Sequence, residues 1–299
     1  MFWNWAEPMT RRYSWRIARG FGAIILAAGL FGPVAGCSFF SSGDKAGLEN
    51  APPPGELYSA ADELLGQGKY EKAAKKFEDV DREHPYSPHA RRALVMAAYS
   101  YYQDGKYPET IRAGRRYTTL HPGTKEAALA HHLIAMAYFK QINDSARDQS
   151  KTRKALNEFN ILVRRYPESK YAIAAKNRIR ICKDVLAASE MNVGRYYLKN
   201  GNYLAAINRF KLVVVDYQKT AHVEEALHRL AEAYMALGIK NEAQTAAAIL
   251  GHNFPDSKWY RDSYALLQSD GLAPYENTGS WISKAWSGTV KSVQSLNPL

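Results

Sequence analysis

Residues 68–87, GKYEKAAKKFEDVDREHPYS, and residues 105–124, GKYPETIRAGRRYTTLHPGT, are two versions of one pattern set 37 residues apart. Each opens on Gly-Lys-Tyr and reaches a proline 17 residues after its glycine, at Pro85 and Pro122. The pattern returns at Gly201-Asn202-Tyr203, where Gln218 replaces the proline, and at Gly238 before Pro255. Counting back from Pro167 places a degenerate copy at Ser150, which makes five. Ala73, Thr110, Ala155, Ala206 and Ala243 sit five residues after the turn position. Phe77, Gly114, Phe159, Phe210 and Ala247 follow four later, one helical turn on.

These offsets describe a pair of antiparallel helices per copy. Glycine reverses the chain, small residues let the two helices approach, larger apolar residues lock the pair, and proline ends the second helix. Two residues beyond each proline position stand Ser87, Thr124, Ser169, Thr220 and Ser257, each able to accept a hydrogen bond from the open amides of the next helix. The preceding helices pair a small residue with a larger one three later: Ala61/Leu64, Ala98/Tyr101, Ala135/Tyr138, Gly194/Tyr197 and Ala231/Tyr234. The pattern resembles the tetratricopeptide repeat, and the expected fold is an all-α, helical-hairpin solenoid of about five repeats over residues 55–268. The proline positions are 37, 45, 51 and 37 residues apart. The first excess falls on the polar stretch 141–148, QINDSARD, and predicts a surface loop. The second, of 14 residues, is close to four helical turns, so it predicts one unbroken long helix over about Lys170 to Lys199.

The amino-terminal segment has a different character. Arg11, Arg12, Arg16 and Arg19 precede the apolar run 21–31, FGAIILAAGLF, and Val34-Ala35-Gly36-Cys37 follows Pro33. This reads as an export signal, since the apolar run is about half of what a bilayer-spanning helix needs. Small residues before a cysteine resemble the lipobox of bacterial lipoproteins. The resemblance implies a signal peptide over 1–36, cleavage after Gly36, and lipidation of Cys37 with several acyl chains, enough for a lasting membrane anchor. Ser38 after that cysteine, in place of Asp, favours the outer membrane. Residues 37–54 are rich in Ser, Gly, Ala and Pro and are expected to form a flexible tether. Met9 is an alternative start to Met1. Without the leader, the formal charge of +11 falls to +8. A basic body favours anionic partners, and export excludes nucleic acid among them.

Little in the chain speaks for catalysis or cofactors. Cys182 lies among Ile179, Ile181, Val185 and Leu186 and reads as a core side chain. His131 and His132 point about 100° apart on a helix and have no acidic or cysteine partner at ligand spacing, so no metal is expected. No phosphate-cradling loop, nucleophile elbow or carboxylate pair appears in a recognisable context. Binding is the expected activity. If first helices line a concave face, Tyr58, Asp62, Val95, Tyr99, Tyr102, His132, Met136 and Phe139 either form an apolar groove for an extended peptide or pack between repeats. The tail, residues 269–299, combines a linker with an amphipathic helix whose apolar positions are Trp281, Ile282, Ala285, Trp286, Thr289, Val290, Val293 and Leu296. Such a helix can lie on a membrane, dock on a partner, or fold back on its own repeats.

A lipobox, a tether and five such repeats together resemble the BamD family of outer-membrane β-barrel assembly lipoproteins. Glu56-Leu57-Tyr58, Pro85-Tyr86-Ser87, Asp148-Gln149, the run Val163 to Tyr171 (VRRYPESKY) and Asn208-Arg209 carry the resemblance. It implies a non-catalytic scaffold without a cofactor. Its amino-terminal repeats would meet unfolded outer-membrane protein clients, and its carboxy-terminal repeats would dock on BamA periplasmic domains and companion Bam lipoproteins. The family's arginine at the position of Arg209 pairs with an acidic residue of BamA. Gln218 and the Trp-rich tail depart from the enteric pattern. The competing expectation is a periplasmic repeat lipoprotein acting as a peptidoglycan-binding or cell-division adaptor, because repeat architecture alone does not fix function.

Overall fold

A computed structural model describes residues 52–294, with side chains to residue 288. The signal peptide, Cys37, nearly all of the tether and Leu296 lie outside the described residues. Five hairpins follow one another: α1 (Pro54–Gly66) with α2 (Tyr70–Glu83), α3 (Pro88–Gln103) with α4 (Tyr107–Leu120), and α5 (Ala127–Phe139) with α6 (Ser150–Arg165). The fourth pairs α7 (Lys170–Lys199) with α8 (Tyr203–Asp216), and the fifth α9 (Val223–Ala236) with α10 (Lys240–Asn253). Two further helices follow, α11 (Lys258–Ser269) and α12 (Trp281–Gln294).

The turn glycines behave as their spacing predicts. Gly68, Gly105, Gly201 and Gly238 have φ of 72°, 74°, 72° and 73°, a region other residues avoid. After each, an amide closes back on the helix it leaves: Lys69 on Leu64, Lys106 on Tyr101, Asn202 on Tyr197 and Ile239 on Tyr234, all at 2.9 Å. Gly271 repeats the motif at φ 69° and ends α11 as if it were a sixth first helix. The residues that follow, Leu272 to Ser280, do not continue into a hairpin partner.

The five small residues after the turns are fully buried, as are Phe77, Phe159 and Phe210. Where glycine stands on these contact lines it is required. A Cβ on Gly194 would come within 2.4 Å of the Phe210 ring, and one on Gly114 within 2.7 Å of Ile134. The long helix runs from Lys170 to Lys199 as expected, and the polar loop 141–149 leaves α5. Ser87, Ser169 and Ser257 accept from the amides of Ala90, Ala172 and Trp259, so three of the five expected caps form. Thr124 and Thr220 do not cap. Their hydroxyls donate to the carbonyls of His121 and Tyr217, and the next helices begin only at Ala127 and Val223.

Consecutive first helices touch: α1 meets α3, α3 meets α5, α5 meets α7, α7 meets α9 and α9 meets α11. Among the described residues, the backbones of consecutive second helices stay apart, and α2 and α4 are bridged by side chains, Arg112 to Glu78 at 3.0 Å and Arg116 to Asp81 at 2.6 Å. The first helices therefore form the inner line of the stack, and a notch opens outside wherever two second helices diverge. The apolar interior divides along α7. Ala172, Ala175 and Cys182 pack with α5 and α6, whereas Ala187 and Met191 belong to the core of α8, α9 and α10. Helix α12 lies against α8 and α10, so of the three fates open to the tail, folding back on its own repeats is the one adopted.

Candidate partner-binding surfaces

The expected groove residues do not share one environment. Met136 is buried in the α5–α6–α7 core and Val95 packs in a cluster with Leu94 and Tyr117, so neither offers surface to a ligand. Both stand on the helix stripe that meets neighbouring repeats, and sequence periodicity does not separate that stripe from a groove. Asp62 is exposed. Tyr58 is half-buried at the first hairpin, edge-on to Phe77 at 5.3 Å with the Arg92 guanidinium over it at 5.6 Å. Tyr99 borders the cluster of Ala74, Ala98 and Leu133. Tyr102 and Phe139 both pack at the margin of the α5–α6–α7 core, where Phe139 meets the Phe159 ring at 6.0 Å.

His132 stacks on Tyr171 with ring centroids 4.9 Å apart. Burial, reinforced by the nearby Arg178 charge, holds its imidazole down at about 4, so it is neutral at pH 7. Its buried Nδ1 has no hydrogen-bond partner among the described residues. Arg178 also acts on Tyr102, whose phenol is pushed up mainly by burial. Tyr102, His132, Tyr171 and Arg178 thus form an aromatic and cationic spot on the line of first helices α3, α5 and α7. The sequence reading missed Tyr171 and Arg178. Both lie in the amino-terminal half of α7, whose neighbours are set by the inserted turns rather than by the repeat.

Arg209 projects from α8 beside a second surface. The buried stripe of that helix is Ala206, Ile207, Phe210, Val213 and Val214. On the opposite stripe Leu204, Leu212 and Val215 are exposed, at 65%, 38% and 42%. Three exposed aliphatic side chains within two helical turns of Asn208 and Arg209 make an unusual solvent face for so basic a chain. A shallow cavity of about 480 Å³ lies there, lined by Tyr197, Ala205, Asn208, Arg209, Lys211, Leu212 and Val215. The Arg209 guanidinium donates from one terminal nitrogen to Glu190 at 3.1 Å. Arg195 makes a fuller pairing nearby, donating twice to Glu225 at 2.7 and 2.6 Å. Arg209 is therefore held at one corner, with its side chain 41% exposed.

Gln218 and the tail, two departures noted in the sequence, meet each other. The Gln218 side chain donates to the Ala285 carbonyl at 3.3 Å, so the residue that replaces a repeat proline helps to hold α12. Lys211, on the rim of the Arg209 cavity, sits 4.8 Å over the Trp281 ring. Cys182 is buried, and loss of solvent pushes its thiol up to about 11. It is a core residue, as its neighbours predicted. No helix among the described residues is long and apolar enough to cross a membrane.

Comparison with known proteins now bears on these surfaces. A family model described as YfiO, outer membrane lipoprotein, matches residues 50–250. The outer membrane protein assembly factor BamD of Caulobacter vibrioides is 43% identical over 261 residues, covering 87% of this chain and 85% of that protein. The proteins of the same name from Rickettsia prowazekii and Neisseria meningitidis are 39% and 35% identical, covering 73% and 68% of this chain and 86% and 79% of theirs. With the family model matching residues 50–250 and these relatives covering most of the chain, the chain belongs to the BamD (YfiO) family of outer membrane lipoproteins.

Proposed function

We propose that this chain is a non-catalytic scaffold for assembling β-barrel proteins into the outer membrane, anchored on the periplasmic face by lipid on Cys37. Relatives over most of the chain carry the name outer membrane protein assembly factor, which supports the role. In this reading BamA periplasmic domains dock on the exposed face of α8. Leu204, Leu212 and Val215 supply apolar area, and Arg209 supplies the directional contact to a carboxylate. That carboxylate either shares the guanidinium with Glu190 or displaces it. Unfolded outer-membrane protein segments are received along the first helices, where Tyr58, Tyr99, Tyr102, His132 and Phe139 are half-buried and offer aromatic area with little entropy to lose. Companion Bam lipoproteins complete the assembly, and no cofactor takes part. The lipid keeps the scaffold in a thin layer beside its membrane partner, which raises the effective concentration of each contact.

The observation that carries the proposal is the coincidence of Arg209 with exposed aliphatic residues on one helix face. Substituting Arg209→Glu places two carboxylates, the new one and Glu190, where a partner carboxylate would bind. The expected result is loss of BamA from affinity-purified detergent extracts with the fold unchanged by circular dichroism. Full copurification of BamA with this variant refutes the assignment.

A further inference from the structure

Helix α12 is not a sixth repeat. A sixth hairpin would bring the chain back against α11, but the residues after Gly271 carry Leu272 to Ser280 away, and α12 settles against α8 and α10 instead. Those two are consecutive second helices, whose backbones do not come close to each other. The helix therefore fills an outer notch. The equivalent notch between α2 and α4 holds no helix among the described residues; its cavity of about 590 Å³ is lined by Glu78, Asp81, Arg82, Leu94, Arg112 and Arg116 among others, and the ion pairs Arg112–Glu78 and Arg116–Asp81 span it. An outer notch is thus a repeated product of the stacking, and in one place the chain supplies its own ligand.

The contacts are those of a docked ligand more than of an integral core helix. Ile282 is the one fully buried apolar side chain of α12 among the described residues, whereas α10 alone buries Ala243, Ala246, Ala247, Ile249 and Leu250. Two half-buried indoles flank that isoleucine. The Trp281 Nε1 donates to the Tyr234 hydroxyl at 2.8 Å, and Trp286 meets Phe254 edge-on at 6.1 Å. Ser280 donates to Glu242 at 2.6 Å and accepts from the Ile282 amide. A 14-residue helix with Gly288 and three serines is marginal on its own, so its order depends on the notch. The stretch 270–280 keeps it nearby and raises its effective concentration. The family pattern ends at residue 250, before both α11 and α12.

We propose that the notch between α8 and α10 is a helix-binding site in its own right, with α12 as its resident and releasable occupant. Its recognition elements are Tyr234 and Glu242, which take the indole N–H and the Ser280 hydroxyl, Gln218, which reaches the helix backbone, and Phe254, which takes the second indole. The fitting ligand is an amphipathic helix with tryptophans five residues apart around a buried aliphatic. Release of α12 also frees Lys211 from the Trp281 ring at the rim of the Arg209 surface; that consequence rests on the proposed function, and the binding site does not.

The test inserts a specific protease site between Tyr275 and Glu276 and cleaves the protein after it has folded. The expected result is that the severed tail coelutes with the array on gel filtration and is exchanged by excess fluorescent peptide of residues 276–294. A peptide carrying Trp281→Ala and Trp286→Ala should need at least about tenfold more to do the same. Circular dichroism and hydrogen exchange of α1–α10 establish that the array is intact in every sample. With the array intact, a tail that no peptide excess can exchange makes α12 a permanent part of the fold and overturns the proposal. So does a tail that departs at once from an array that binds no peptide, and so does equal competition by the alanine peptide.

Discussion

Adding one methyl group at Gly194 tests the packing rule on which the whole array rests. The Cβ of Gly194→Ala would lie 2.4, 2.8 and 2.8 Å from three carbons of the Phe210 ring, well inside van der Waals contact. That ring is fully buried in the core that includes Ala187, Met191 and Val213, so it has no solvent to retreat into. Overpacking of this kind costs about 1–3 kcal/mol, and a contact this short belongs in the upper part of that range. Alanine in place of glycine inside a helix works the other way, by about 1 kcal/mol. The expected net loss is about 1–2 kcal/mol, read as a lower midpoint in urea denaturation followed by circular dichroism, with earlier loss of hydrogen-exchange protection in α7 to α9. Phe210→Leu opens space at the same point, so in the double variant the glycine change should cost at least about 1 kcal/mol less than it does alone. Gly66→Ala, where an added Cβ meets nothing within 4 Å, is the control and should be neutral or stabilising. A Gly194→Ala protein as stable as the parent would refute the claim that small residues at this position set the approach of the two helices.

Three further outcomes are expected. Cys37→Ser should abolish acylation, seen as loss of the lipid mass from the mature chain and release of the protein from membranes into the periplasmic fraction. Because burial holds the His132 imidazole down at about 4, against the ordinary 6.5, the unfolded chain takes up the proton first as pH falls. Its contribution to stability is therefore complete above about pH 6.5 and declines between that pH and about 4, by up to about 3 kcal/mol before solvent screening reduces it. His132→Gln should flatten the stability difference between pH 7.5 and pH 5 relative to the parent protein, and an unchanged difference would count against this account. Cys182 should resist iodoacetamide in the native protein and react in urea, since its thiol is both buried and held at about 11; rapid native labelling would contradict its placement.

The fold was readable because its determinants are local and repeat. The positive-φ glycines, the buried small residues after them and the non-helical residue before each proline recur at fixed spacing within the repeats, and α7 begins and ends where the surplus of 14 residues places it. Thr124 and Thr220 do not cap because a hydroxyl two residues beyond the proline position has other choices. Thr124 is engaged by the Tyr117 phenol at 2.8 Å and by the His121 carbonyl, and its helix starts late. The candidate groove was only partly legible for a different reason. On a first helix of a stacked array, the stripe facing the next repeat and the stripe facing the interior line are adjacent, so Met136 and His132 look alike in sequence while one is buried and the other half-exposed. The fate of the tail was illegible in principle. A face of Trp, Ile, Ala and Trp suits a bilayer, a partner or a notch, and only the partners Tyr234, Phe254 and Gln218, distant in sequence, decide among them.

The unbroken course of α7 has a mechanical meaning. Thirty residues at about 1.5 Å each make a strut of about 45 Å whose two halves are embedded in different cores. A solenoid built only of short hairpins bends a little at every junction, so a load applied at one end is dissipated before it reaches the other. Here α7 carries continuous backbone hydrogen bonding from the core of the third hairpin into the core shared by α8, α9 and α10. A push or twist applied to α5 and α6 would reach α8 through this strut, with α7 as the lever.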